Sequence, residues 1–272
     1  MKRFIVGTLA VAVMGGGIAL AKDANKIVVD GSTTVGPIAK AFAEYYMGKH
    51  PEVNITVSES GSGNGAKSLI NAACDVATMS RPMKDSEKKA AQDAGRSPLE
   101  HIVAMDGIAV VVHPSNPVGA LTVEQIRDIY TGKIRNWKEL GGPDLPIVVI
   151  SRDTNSGTYE CFESLVLDKQ KITDKAEYVG SNGAIRQRIM STQAAIGYVG
   201  LAFREGVKAV KVNGVEATPE TVVAKTYPIA RPLYMYTNGQ PAKDTPLSDF
   251  VNFSGTPEGK KIVEETGFVS LN

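Results

Sequence analysis

Three times in this chain a short apolar run ends in a loop of serine, threonine and glycine that passes directly into a segment of helical periodicity. In the first, Ile27-Val28-Val29 leads through Asp30-Gly31-Ser32-Thr33-Thr34 to Val35, Ile38, Ala39, Phe42, Ala43 and Tyr46, all on one helix face, with Gly48 as the expected stop. In the second, the alternating run at 53–57 leads through Ser58-Glu59-Ser60-Gly61-Ser62-Gly63-Asn64-Gly65 to a helix with Ala66, Leu69, Ile70 and Ala73 inward. In the third, the run at 146–150 leads through Arg152-Asp153-Thr154-Asn155-Ser156-Gly157-Thr158 to a helix over 159–167. Short buried strands alternating with amphipathic helices predict an α/β fold with largely parallel sheets. At this length, and with no low-complexity linker, two lobes are expected rather than one. In such sheets the loops after the strands line the ligand crevice, so the three loops should converge.

Other segments fit this reading. A third short strand is expected at 75–79, ending at Ser80-Arg81-Pro82, with a charged helix at 85–94 after it. Apolar runs at 102–105 and 108–112 flank Asp106-Gly107, and Trp137 reads as a core anchor. Thr122-Val123-Glu124-Gln125 is a capping box for a helix closed by Gly132. Ser181-Asn182-Gly183 precedes a helix with Ile185 and Ile189 inward, and 195–200 reads as a strand. Thr218-Pro219 and Thr256-Pro257 are cap-then-proline helix starts, and 229–236 looks extended.

Residues 1–21 read as a secretory signal peptide: Lys2 and Arg3, an apolar stretch from Phe4 to Leu20, then Ala19-Leu20-Ala21 as a small-x-small cleavage pattern. Taking Lys2 and Arg3 from the 30 basic residues leaves 28 against 29 acidic ones. A near-neutral chain argues against a broad nucleic-acid or membrane footprint. Export permits a Cys74–Cys161 disulfide, and two packed thiols are the alternative. No Cys/His spacing resembles a zinc site, and no cofactor is expected.

The loops at 31–34, 61–64 and 155–158 offer hydroxyls and backbone N–H groups at helix starts and contain no lysine, with Arg152 as a single guanidinium beside them. Unpaired N–H groups at a helix start, at the positive end of its dipole, suit an anion, although Ser156 or Thr158 could equally be an ordinary cap. A nucleotide P-loop is excluded, because Ala66 separates Gly65 from Lys67. The cradle suits a small tetrahedral oxyanion whose oxygens each need a donor. Phosphate near neutral pH keeps a proton that sulfate lacks, so a carboxylate acceptor would favour phosphate. Asp153, Asp106, Asp30 and Glu59 are close in sequence to the loops, with Asp153 and Asp106 the leading candidates.

Asp30-Gly31-Ser32-Thr33-Thr34, Ser60-Gly61-Ser62-Gly63, Ser80-Arg81 and Arg152-x-x-x-Ser156-Gly157-Thr158 resemble the phosphate-binding protein of the bacterial phosphate-specific ABC transporter. Asp106-Gly107-Ile108-Ala109-Val110 and Ile196-Gly197-Tyr198-Val199-Gly200 are also similar, and the resemblance runs in order over 26–268. It implies a two-lobed type II periplasmic binding fold, with crossings near 106–112 and 229–236. The lobes would be 22–107 with 230–272, and 108–229. It further implies a monomer in the periplasm that closes over phosphate and delivers it to an inner-membrane permease, without enzymatic activity. Carried over by motif, Thr34, Val35, Ser62, Arg152, Ser156, Gly157 and Thr158 would be ligands, joined by Ser32, Thr33 and Ser80. Some members have a proton-accepting aspartate where this chain has Arg81, which can only donate.

Alternatives are the same fold holding sulfate, molybdate or an organic phosphate, an exported phosphate-ester hydrolase, and a secreted interaction protein. The hydrolase needs a nucleophile with a base. The three histidines, His50, His101 and His113, lie beside a helix end, a turn and a strand end, and no G-x-S-x-G elbow occurs.

Overall fold

The computed structural model describes residues 23–271, and the expected leader at 1–21 lies outside them. Among the described residues no helix is long and apolar enough to cross a membrane. The chain opens with β1 (Lys26–Gly31), α1 (Gly36–Lys49), β2 (Asn54–Ser58), α2 (Ser62–Ile70), β3 (Val76–Met79) and α3 (Asp85–Asp93). Strands β2 and β3 flank β1, both in parallel. A 15-residue strand, β4 (Pro98–Val112), then leads to β5 (Ala120–Leu121), α4 (Val123–Thr131), β6 (Val148–Arg152), α5 (Gly157–Leu165) and β7 (Glu177–Val179). Next come α6 (Asn182–Ser191), β8 (Ala195–Gly200), β9 (Lys208–Ala209), β10 (Lys211–Val212) and α7 (Pro219–Val223). The chain returns along β11 (Ala230–Asn238) and finishes with α8 (Pro246–Asn252) and α9 (Pro257–Glu265).

The main sheet runs β2-β1-β3-β11-β4-β8-β6-β7, with β9 also paired to β4. Pairing is parallel at both ends, where β6 lies between β7 and β8. It is antiparallel where β11 meets β3 and where β4 meets β11 and β8. The two apolar runs around Asp106-Gly107 are therefore one strand. It pairs with β11 up to Gly107 and with β8 from Ile108 onward. No turn intervenes, because both faces from Val103 through Val112 remain largely buried.

Two apolar cores sit on either side of this change of partner. One gathers Phe42, Val103, Leu233, Phe250 and Phe268 around α1, α8 and α9. The other gathers Val110, Tyr130, Trp137, Phe162 and Tyr198. Trp137 is the anchor its sequence position suggests, fully buried with its indole N–H donated to the Ala194 carbonyl.

Most helix punctuation acts as its chemistry dictates. Thr122 Oγ1 accepts from the Gln125 N–H, Gln125 returns a bond to the Thr122 N–H, and Gly132 ends α4 at φ +79°. Thr218 and Thr256 cap the proline-led helices α7 and α9. Gly48 does not stop α1, which continues to Lys49. The stop comes from Pro51, which disfavours helical geometry at His50 (φ −127°, ψ 77°).

Candidate anion-binding site

The three loops meet where the two halves face each other. After β1, Ser32 is directed at its own backbone: its Oγ accepts from the N–H groups of Thr34 (3.1 Å) and Val35 (3.3 Å). Thr33 and Thr34, both buried, point their hydroxyls at the opposite half. After β2, Gly61 adopts φ +101° and turns the chain into α2, which places Ser62 at its first position. Ser62 Oγ accepts from the Ser80 N–H at 3.0 Å and lies 3.3 Å from Ser80 Oγ. After β6, Ser156 is the N-cap of α5, its Oγ accepting from the Tyr159 N–H at 3.2 Å. Gly157 and Thr158 are then the first residues of that helix, where N–H groups have no intrahelical partner. A Cβ on Gly157 would stand 2.5 Å from Ser62 Oγ and 2.7 Å from Ser80 Oγ, so only glycine allows this approach.

Contacts across the cleft are direct. The Gly63 N–H donates to the Asn155 carbonyl at 3.0 Å, and the Thr34 and Thr158 hydroxyls are 3.0 Å apart. Arg152 is 1% exposed. It donates from Nε to the Val179 carbonyl, and from Nη2 to the Gly180 carbonyl at 2.8 Å and Thr33 Oγ1 at 3.3 Å. Its Nη1, buried like the rest, has no hydrogen-bond partner among the described residues. All of its partners are neutral, and burial holds the guanidinium down to about 10, well below its ordinary value.

Two buried residues that the motifs do not single out complete the site. Asn182, at the first position of α6, donates from Nδ2 to Thr34 Oγ1 at 2.9 Å. Arg231, on β11, donates to Thr158 Oγ1 (2.9 Å), to the Ser80 carbonyl (3.0 Å) and to Asp106 Oδ2 through Nε (3.2 Å) and Nη2 (2.9 Å). Asp106 is fully buried and accepts from the Leu201 N–H through its other oxygen. Burial pushes the Asp106 carboxyl up, against the pull of the Arg231 guanidinium and the Leu201 N–H.

The remaining carboxylates face elsewhere. Asp153 accepts from the Asn155 N–H within its own loop at 2.8 Å. Asp30 accepts from Ser60 and Ser68, and Glu59 pairs with Lys40. Arg81 is buried in an ion cluster. Both its Nη atoms lie 2.7 Å from Glu87 oxygens, and its Nε lies 2.7 Å from Glu160 on α5, off the line of a hydrogen bond. Lys84 joins Glu160 at 2.9 Å. Cys161 is a thiol donating to the Ser80 carbonyl, so the bridge to Cys74 is not formed. The histidines are engaged away from Ser156: His50 stacks on Tyr46, His101 bonds Thr237 and His113 bonds Ser115.

A PBP superfamily domain (PBP_like_2) matches residues 19–258. With the sheet order above, this defines the class, a type II periplasmic binding protein fold. The phosphate-binding protein PstS of Staphylococcus saprophyticus is 35% identical over 270 residues, covering 94% of this chain and 84% of the relative. A Clostridium perfringens structure described as a phosphate ABC transporter substrate-binding protein with bound phosphate is 37% identical, with a TM-score of 0.84, over 91% of this chain and 100% of that one. An ABC-type phosphate transport receptor from Vibrio cholerae is 31% identical, with a TM-score of 0.74, over 90% and 100% respectively. The chain belongs to the PstS phosphate-binding protein family within this superfamily, a family of binding proteins and not of enzymes.

Proposed function

We propose that this protein captures inorganic phosphate between two lobes and delivers it to the permease of an ABC transporter. The observation that carries the reading is Arg152 Nη1, a buried cationic donor without a partner among the described residues, beside hydroxyls contributed by both halves. A charge so placed is costly unless an anion meets it, and a tetrahedral oxyanion can accept from many donors at once. The ligands are Thr33, Thr34, Ser62, Ser80, Arg152 and Thr158 with the N–H groups of Gly157 and Val35, while Ser32 and Ser156 hold their loops in shape through the caps described above.

Asp106 orients the donors of the cradle rather than meeting the ligand, since its two oxygens are held by Arg231 and the Leu201 N–H. It is the buried carboxylate linked to the cradle through Arg231 and Thr158, whereas Asp153 closes its own loop. The lobes are 22–107 with 230–272, and 108–229, joined by β4 and β11. The names of the relatives support phosphate as ligand and a transporter as partner. The hydrophobic leader supports export to the periplasm.

Calorimetric titration of anion-stripped protein with phosphate, sulfate and arsenate tests the reading. Saturable heat with phosphate, and weaker or no heat with sulfate, is the expected result. Sulfate binding without phosphate binding would move the chain to another oxyanion, and turnover of a phosphate ester would revive the hydrolase.

A further inference from the structure

Three buried hydroxyls at the cradle share one circumstance: each accepts from a nitrogen that can only donate. Thr158 Oγ1 accepts from Arg231 Nη2 at 2.9 Å, and Thr34 Oγ1 accepts from Asn182 Nδ2 at 2.9 Å. Thr33 Oγ1 is reached by Arg152 Nη2 at 3.3 Å and Asn182 Nδ2 at 3.4 Å. A guanidinium has no acceptor, so those directions are fixed. The Asn182 amide is fixed as well, because the Gly200 N–H, an obligate donor, sits 3.2 Å from its Oδ1 and leaves Nδ2 facing the threonines.

A hydroxyl carries one proton and two lone pairs. Thr34 and Thr158 lie 3.0 Å apart, so one of their two protons lies between them. The other, and that of Thr33, remain to be given to a further acceptor. We propose that Asn182 and Arg231 are positioning residues that commit the Thr33, Thr34 and Thr158 hydroxyls to donating. The cradle then presents O–H and N–H protons together and selects a ligand whose surface is nearly all acceptor. A tetrahedral oxyanion meets that demand, and a polyol or amide of similar size, which brings donors of its own, does not. This inference rests on the phosphate-site reading and assigns what sets its polarity.

A double-mutant cycle read by calorimetry with inorganic phosphate tests it. Thr34→Val removes the oriented hydroxyl, and Asn182→Ala removes the group that orients it. Each is expected to weaken phosphate binding by about tenfold, the usual effect of losing a hydrogen bond to a charged group. The double variant should bind no more than about twofold worse than the weaker single one, because the two changes remove the same interaction. Losses that multiply to about a hundredfold would overturn the inference while leaving the phosphate reading intact. Absence of phosphate binding by the unaltered chain would overturn both. If Asn182→Ala does not fold, judged by circular dichroism, the cycle of Arg231→Lys with Thr158→Val reads the same coupling, with the same two outcomes.

Discussion

Of the three arginines around the cleft, two have carboxylate partners and one does not. Arg231 is paired with Asp106 and Arg81 with Glu87 and Glu160, whereas Arg152 meets only carbonyls and a hydroxyl. Burying a pair and burying a lone charge have different consequences. Breaking the pair leaves an uncompensated charge, so Asp106→Asn should destabilise the fold by about 3 kcal/mol or more, measured by urea denaturation without ligand. A change below about 0.5 kcal/mol would mean that Arg231 finds another counter-charge. At this scale sequence reading found residues held by local motifs. Thr34, Ser62, Arg152 and Thr158 all follow strands in loops of recognisable composition. Asn182 and Arg231 escaped it because their roles come from tertiary pairing. Asn182 meets a threonine 148 positions away, and its own neighbourhood reads only as the start of a helix. Arg231 stands in an otherwise apolar extended run, where nothing local indicates that Asp106 and Thr158 lie opposite.

At the scale of elements, α5 does two things. Its first turn presents Gly157 and Thr158 to the cleft, and one turn in, Glu160 reaches across to Arg81 and Lys84. This cluster joins the two halves beside the ligand loops, so it should favour their contact. Glu160→Gln keeps the shape of the side chain and removes the charge. Phosphate should dissociate about fivefold faster from this variant, equivalent to about 1 kcal/mol, with association little changed. Stopped-flow displacement would show this, and an unchanged dissociation rate would remove the cluster from any part in holding the halves together. Elements were legible wherever a cap or a periodic apolar face marked them, as in α1, α4, α7 and α9. The short strand β7 and the helix α8 were not anticipated. Three residues of β7 carry too little pattern to register, and what makes them a strand is parallel pairing with β6.

For the whole molecule, the long strand β4 and its partner β11 matter most, because both halves hang from them. His101 lies on β4 with its Nε2 2.9 Å from Thr237 Oγ1 on β11, and burial lowers its proton affinity below the ordinary value of 6.5. The folded chain therefore keeps His101 neutral where the unfolded chain takes up a proton. Its contribution to stability is complete above the unfolded value and is lost as pH falls through the folded one. The denaturation midpoint should drop between pH 7 and about 5, and His101→Gln should reduce that drop. An unaltered pH profile in the variant would place the dependence elsewhere. The two-lobed plan was readable because the strand–loop–helix unit repeats. The full length of β4 was not, because Asp106-Gly107 interrupts the apolar pattern, and only the pairing of β11 and β8 on either side of it makes one strand.

A phosphate ion clamped against Arg152 should stay with the chain through dialysis. Equilibrium dialysis with radiolabelled phosphate reads this on protein unfolded and refolded to remove carried-over anion. One phosphate should be retained per chain, and retention should be abolished or weakened by at least about a hundredfold in Arg152→Ala, since that variant removes a buried charge-assisted contact. No retention by the unaltered chain, or retention indifferent to Arg152→Ala, would rule out a phosphate held by this arginine.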